Sequence, residues 1–505
     1  MREFLKRIVE YLFYLFLFLI PWQTRLILKE GALNQGYWEW GTYSLYAIDL
    51  IFVLLVILFC FDLLFHPSIS NSKFLISKQI PNSKSQTQNS KSQILNYKFQ
   101  ILNSKLFKLL VICFLLFAFL SIFWAKNSGL AFYWLLRLLQ GAILFFLIQK
   151  INFDFIKAGF VLIFAGLIQA FLSISQFINQ KVFASKWLGM AAQDPAQFGV
   201  SIVETAESRL LRVYGSLPHP NILAGFLVFL IFISFILYLL LSQDEVISLR
   251  KVLGRSSGYG SADKAEGKTE NQAVISSLEK STASFRATDR ASSWQRYFLL
   301  FSTSLITMTL FLTYSRAAWL SLIICIILFG LFLFKKSFVN FRIPFFEFFG
   351  LILIITLIFS IFSLRGLIVR LETKGRLEAR SVNERILNFQ RGLEIVKENF
   401  IFGVGVGNYT STLAKKYPSL ASWDIQPVAN IYLLILAELG IIGFLLFLLI
   451  IGFTFYCLKF KIYSLYFISP LIIGLFDHWL FSLSFGIILF WLALGLLWKT
   501  FREKS

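Results

Sequence analysis

Charge is scarce in this chain. Only 15% of its 505 residues are charged and 57% are hydrophobic, whereas soluble domains run near 45–50% apolar. That excludes an ordinary soluble domain. Cysteine is sparse too. The four, Cys60, Cys113, Cys325 and Cys457, lie in or at the ends of apolar runs with no paired spacing. This excludes a disulfide framework and a zinc site. Histidine occurs three times and without ligand spacing, so no metal is called for, and nothing in the chain asks for a cofactor. The glycine run Gly403-Val404-Gly405-Val406-Gly407 lacks the lysine and helix that would make it a P-loop. The net charge of +21 has no compact basic domain with stacking aromatics behind it. Basic loops beside membrane spans explain it better than nucleic acid.

Long apolar runs are abundant. A membrane span needs ~20 predominantly apolar residues. About twelve such runs occur: 8–26, 44–65, 107–125, 129–149, 155–177, 220–242, 297–314, 316–334, 345–365, 429–457, 463–478 and 482–499. The reading is an all-α integral membrane protein of about twelve transmembrane helices. The first run follows Arg2, Lys6 and Arg7 without a small-residue cleavage site, so it reads as an uncleaved span. Those basic residues, the lysines between 73 and 105, Lys335, Lys336, Lys459, Lys461 and Lys499 all fall on one side when twelve spans are counted. That side is expected to be the cytoplasm, with both termini there.

The same count divides the chain into seven stretches: residues 1–65 (two spans), 66–106 (a cytoplasmic linker), 107–242 (four spans with an outer loop at 178–219), 243–296 (a second polar cytoplasmic linker), 297–365 (three spans), 366–428 (a large outer loop) and 429–505 (three spans and a tail). The first linker repeats Asn-Ser-Lys and reads as flexible. The second mixes both charge signs with small residues and reads as weakly ordered. The 366–428 loop carries a strong basic excess, against the positive-inside bias, which asks what anion the outer face meets. Within it Ile386, Phe389, Leu393, Val396 and Phe400 are spaced as one helical stripe, and Ser381 with Glu384 has the form of a capping box. The glycines after the stripe permit a tight turn with exposed amides.

Ionisable groups at span mouths and within spans carry the candidate chemistry. Arg212, Arg316 and Arg385 stand where outer loops meet spans. Guanidinium binds phosphate in a bidentate fork, though an arginine there can also snorkel or pair structurally. In "RVYGSLPHPNILAGFL" Pro220 suits a helix start, whose amides would favour an anion near Arg212. His219 is either a base or an interfacial imidazole. Asp49 and Arg137 would pair within the bundle. Glu438, inside the tenth run, would orient a loop arginine. Asp477-His478 reads as a tuned base or a cap.

Four segments together carry a resemblance: "RVYGSLPHPNILAGFL", "LTYSRAAWL", "ERILNFQRGLEIVKENFIFGVGVGNY" and "PVANIYLLILAELGIIG". The chain resembles the bacterial O-antigen ligase and polymerase superfamily. The resemblance implies a glycosyltransferase of the bacterial cytoplasmic membrane that works on its outer side. It would move a glycan from an undecaprenyl-pyrophosphate carrier to a lipid or glycan acceptor of the cell envelope, among membrane lipids. Arg212 with Asn221, and Arg316, match the arginines thought to hold the pyrophosphate. Arg385, Arg391 and the turn ending at Tyr409 match the outer loop, and Asn430 with Glu438 the segment after it. One position departs: the family usually has histidine directly before Asn430, and here stands Ala429. The chain would then work at a reduced rate on its arginines alone, use His219 or His478 as base, or bind without turnover. A polymerase of the same superfamily and a lipid-linked glycan flippase are the alternatives.

Overall fold

The computed structural model describes residues 2–34, 36–65, 87–204, 208–257, 293–333, 341–362, 366, 368, 369, 375–458 and 464–503. The helices are α1 (Arg2–Leu19), α2 (Ala47–Phe65), α3 (Thr87–Leu120), α4 (Ser128–Ile148), α5 (Phe155–Asn179), α6 (Pro220–Ser257), α7 (293–312), α8 (Arg316–Leu333), α9 (Arg342–Phe362), α10 (Arg376–Glu398), α11 (Tyr409–Lys416), α12 (Ile431–Leu458), α13 (Leu465–Ile473), α14 (Trp479–Ser482) and α15 (Ser484–Glu503). Each apolar run is helical over at least part of its length. Among the described residues, seven are long and apolar enough to cross a membrane: α2, α3, α4, α5, α6, α9 and α12. The chain is a multi-pass membrane protein.

α6 is the hub. Its stretch Pro220–Ser242 is buried except at half-buried Asn221 and Leu240, which its lack of a polar face requires. α5, α8, α9 and α13 pack around it. Gly159 and Gly166 on α5 bring that helix close, with Leu237 and Leu230 of α6 filling the space a side chain would take. Elsewhere in the bundle, Arg137 on α4 meets Asp49 on α2 at 2.7 Å, and Gln140 donates to the same carboxylate at 2.8 Å. The intramembrane charges at these two positions are therefore a satisfied structural pair.

Six short strands modify the all-α expectation. β1 (Arg25–Lys29) pairs antiparallel with β4 (Tyr43–Tyr46), β2 (Ala32–Leu33) with β3 (Gly36–Tyr37), and β5 (Ile202–Glu204) with β6 (Arg209–Leu211). The first apolar run therefore stops at Leu19, before Pro21, and its last residues enter a ladder. The linkers are also more helical than expected: residues 87–106 belong to α3 and 243–257 to α6, while 66–86 and 258–292 lie outside the described residues. The run 463–478 yields only the nine-residue α13, followed by turns. α10 starts five residues before Ser381, behind Gly375, so no capping box forms; Glu384 pairs with Arg380 instead, at 2.7 Å. Its stripe splits. Val396 is buried, whereas Ile386, Phe389 and Leu393 stay largely exposed.

The glycine run is used inside the protein. Gly440 (φ 61°, ψ −171°) breaks α12 in a conformation open essentially to glycine alone. The break strands backbone groups, and the loop before α11 takes them up. Val404 N–H donates to Ala437 O at 3.0 Å, Gly405 N–H to Glu438 O at 2.9 Å, and Ile441 N–H to Phe400 O at 2.8 Å. The Glu438 carboxylate accepts Gly407 N–H at 2.7 Å. The amides expected to be exposed are thus spent on this clamp. Gly440→Ala would put a Cβ 2.2 Å from Ile401 O. It should cost more than the ~1–3 kcal/mol of the backbone conformation alone. A thermal melt of the detergent-solubilised variant checks this; an unchanged midpoint would contradict the clamp.

Candidate functional site

A cavity of about 570 Å³ opens where the loops converge. Its walls are the turn entering α6, the Asp477–Trp479 turn, one flank of α10, the Gln426–Ala429 stretch and the β1–β4 ladder. The turn into α6 is built by two buried glutamines of α5. Gln176 Oε1 accepts the N–H groups of Tyr214 and Gly215, each at 3.0 Å, and Gln169 Oε1 accepts Ser216 N–H at 2.8 Å. Gly215 sits at φ +57°, and a Cβ there would lie 2.5 Å from Gln169 Oε1. That is why this sequence turns at glycine.

Behind the cavity runs a chain of hydrogen bonds. Arg212 is buried; its Nε donates to Thr313 O at 2.8 Å and its Nη2 to Asn221 Oδ1 at 2.7 Å. Asn221 Nδ2 then donates to Asp477 Oδ2 at 3.1 Å, and Asp477 Oδ1 accepts His478 N–H at 2.8 Å. The Thr313 carbonyl belongs to the turn between α7 and α8, where Tyr314 adopts φ 50°. This is unusual for a bulky residue, and it persists only where surroundings fix it. So the two arginine motifs of the sequence meet: Arg212 secures the turn that precedes Arg316.

The two imidazoles are used differently. His219 Nδ1 accepts Asn221 N–H at 3.1 Å, and Nε2 lies 3.0 Å from Ser201 Oγ. With Nδ1 accepting, the proton sits on Nε2 and faces the serine. His219 therefore caps its own helix and is neutral. Burial, then the Arg212 charge, push its pKa well below the usual 6.5, against a smaller pull from Asp477. His478 Nδ1 lies 2.6 Å from Ser482 Oγ, and that hydroxyl donates to His478 O at 3.0 Å. With the single hydroxyl proton directed at that carbonyl, which can only accept, Nδ1 is the donor and Nε2 keeps its lone pair. No hydrogen bond engages Nε2 among the described residues. Burial lowers the pKa of His478 as well; Asp477 raises it and Arg385 lowers it.

Of the residues singled out by sequence, His219, Asn221, Ser381, Glu384, Arg385, Asp477 and His478 line the cavity, and so does Ala429. The others do not. Arg212 stands behind Asn221. Arg316 Nη2 lies 3.6 Å from Glu378 Oε2 on α10. Arg391 stacks over the Tyr417 ring at 5.3 Å. Asn430 Nδ2 donates to Leu475 O at 3.0 Å, tying Ala429 beside the His478 turn. Tyr409 is buried, and Glu438 holds the glycine clamp. The α6 amides expected to meet an anion are taken, Asn221 N–H by His219 Nδ1 and Ile222 N–H by His219 O at 3.0 Å. Sequence reading missed Gln169 and Gln176, which nothing local distinguishes from other span residues. It also missed the wall made by Arg25 on the ladder and by Glu39 and Trp40 in the turn Glu39–Gly41, whose place depends on a strand pairing hidden inside an apolar run.

These features define a multi-pass membrane protein with an arginine- and histidine-bearing cavity beside its spans. Residues 301–448 match the family model described as O-Antigen ligase, which bears out the family resemblance carried by the motifs. The match covers under a third of the chain. It includes Arg316, Arg385, Ala429 and Asn430 but leaves Arg212, His219, Asn221, Asp477 and His478 outside. No curated protein matches the chain.

Acid should loosen this site. The unfolded chain takes up a proton at His219 near pH 6.5, which the folded chain refuses until far lower pH. Stability is therefore complete above pH 6.5 and declines as pH falls below it. His219→Asn, which can still cap, should flatten that part of a plot of Tm against pH. An identical slope in both proteins would show that His219 is not held neutral.

Proposed function

We propose that the cavity transfers a glycan from an undecaprenyl-pyrophosphate carrier to a hydroxyl of a cell-envelope acceptor. The site would face outward from the cytoplasmic membrane, in a bundle of about twelve spans with both termini in the cytoplasm. The observation that carries this reading is the joining of His478, with a free Nε2, and the Arg385 guanidinium in one cavity. The acceptor oxygen attacks the anomeric carbon as the bond from that carbon to the pyrophosphate oxygen breaks. The bond electrons leave with the pyrophosphate, whose charge Arg385 neutralises. The hydroxyl proton goes to His478 Nε2. A single displacement of this kind inverts the anomeric centre.

Arg212 then works at one remove, by fixing Asn221 and through it Asp477. Arg316 steadies α10, which carries Arg385. Ala429 leaves open the place where the family usually has histidine, and His478 approaches from the adjoining turn. A general base contributes ~10²–10⁴-fold and an anion-stabilising donor about 10²–10³-fold, so both groups are worth retaining.

Release of undecaprenyl pyrophosphate in proteoliposomes tests the assignment. His478→Gln should lower kcat by ~10²–10⁴-fold, and Arg385→Gln by about 10²–10³-fold. The base acts unprotonated, so activity should fall on the acid side with a midpoint below 6.5. Asp477 favours the imidazolium, so Asp477→Asn should move that midpoint further toward acid. Wild-type turnover by His478→Gln would overturn the base assignment.

A further inference from the structure

The cavity is wider than this chemistry needs. Asp477, His478 and Arg385 occupy one side. Another part of the wall is the N-terminal ladder with the turn Glu39–Gly41 that precedes its last strand, outside the family match and without a role so far. There Arg25 grips Glu39 with two prongs, Nη1 to Oε1 at 2.5 Å and Nη2 to Oε2 at 3.0 Å. Burial would raise the Glu39 pKa, but the Arg25 partner outweighs it and holds the carboxylate below its usual range. Trp40 comes next. Its ring meets the His478 imidazole edge-to-face, with centroids 5.0 Å apart. Gln193 and Gln426 extend the wall from two separate loops. Among the described residues the Gln193 side chain has no hydrogen-bond partner. Gln426 uses only its Nε2, donating to Trp423 O at 2.9 Å.

Three ligand chemistries can be compared with this wall. A phosphate would meet the Glu39 carboxylate and be repelled. An alkyl chain would bury amides and an ion pair without replacing their water, at the cost of unmet polar groups. A sugar ring meets neither obstacle. Its hydroxyls donate and accept at once, as the two amides do. The clamped carboxylate and guanidinium offer an acceptor and donors in fixed directions. An indole supplies an apolar surface for the ring's C–H face while remaining beside polar groups.

We propose that Arg25, Glu39, Trp40, Gln193 and Gln426 form a saccharide subsite that seats a sugar ring next to His478. Which saccharide enters rests on the transfer reading above: the ring belongs either to the carrier-linked glycan or to the acceptor. The subsite itself requires only that polyhydroxylated ligands bind here.

The test uses the full chain in nanodiscs. Wild type, Glu39→Gln, Trp40→Ala and Gln193→Ala are titrated with three probes: bare undecaprenyl pyrophosphate, the same lipid carrying a tetrasaccharide, and the free tetrasaccharide. All variants should bind the bare lipid as wild type does. If the ring is the carrier's, the variants should bind the tetrasaccharide-lipid about tenfold more weakly. If it is the acceptor's, carrier affinity should hold and KM for acceptor in the transfer assay should rise by about tenfold. Near-isosteric Glu39→Gln keeps the test valid should Trp40→Ala misfold. Wild-type affinities and KM values in every folded variant would overturn the subsite, as would equal weakening of the bare lipid. Wild type that binds free tetrasaccharide through Trp40 yet releases no lipid pyrophosphate would instead defeat the transfer reading and leave the subsite standing.

Discussion

Asn221 is the joint on which the site depends. Its side-chain carbonyl accepts a hydrogen bond from buried Arg212 at 2.7 Å, and its side-chain amide donates one to Asp477 at 3.1 Å. Three distant stretches of chain converge through it: the turn into α6, the turn between α7 and α8 that Arg212 reaches through Thr313 O, and the turn that carries His478. A buried guanidinium is tolerated only when its donors are met. The arginine's need for partners thus becomes a geometric constraint on a base more than 250 residues away in sequence, as the Asn221–Asp477 separation of 256 shows.

This constraint explains the composition of "RVYGSLPHPNILAGFL". Gly215 turns over the α5 glutamines, Pro220 starts the buried helix, and His219 closes its first turn with its own ring. The imidazole that looks most available in sequence is the one already spent. His478 looks like a helix-ending residue in sequence. In the fold it is held from one side only, by Ser482, and braced by Trp40.

The bundle was legible because apolar runs in a membrane have one economical outcome: a helix that satisfies its own backbone. Every such run carries a helix over at least part of its length, including 220–242, which is helical throughout. Local reasoning failed where satisfaction came from a distance. Ser381 and Glu384 have capping-box spacing, yet α10 begins earlier and Glu384 pairs with Arg380. The Gly403–Gly407 amides seemed available to a ligand, but the break at Gly440 claims them. Residues 25 and 26 end the run 8–26 in sequence and leave its helix in space, because Pro21 ends α1 and Tyr43–Tyr46 offers a pairing edge. The cavity wall made by that ladder could not be read locally for the same reason. Arginines were easy to find but not to assign: of the three at span mouths, only Arg385 lines the cavity, while Arg212 and Arg316 hold its walls.

The central claim is a division of labour between two neutral imidazoles, one capping a helix and one free to take a proton. With three histidines in the chain, nitrogen-15 NMR of histidine-labelled protein, assigned with single histidine variants and titrated with acid, reads it directly. The account predicts that His219 stays neutral with its proton on Nε2 well below pH 6.5. It predicts that His478 carries its proton on Nδ1 and gains a second at a midpoint below 6.5. A His219 that titrates normally near 6.5, or a His478 already doubly protonated at neutral pH, would contradict it.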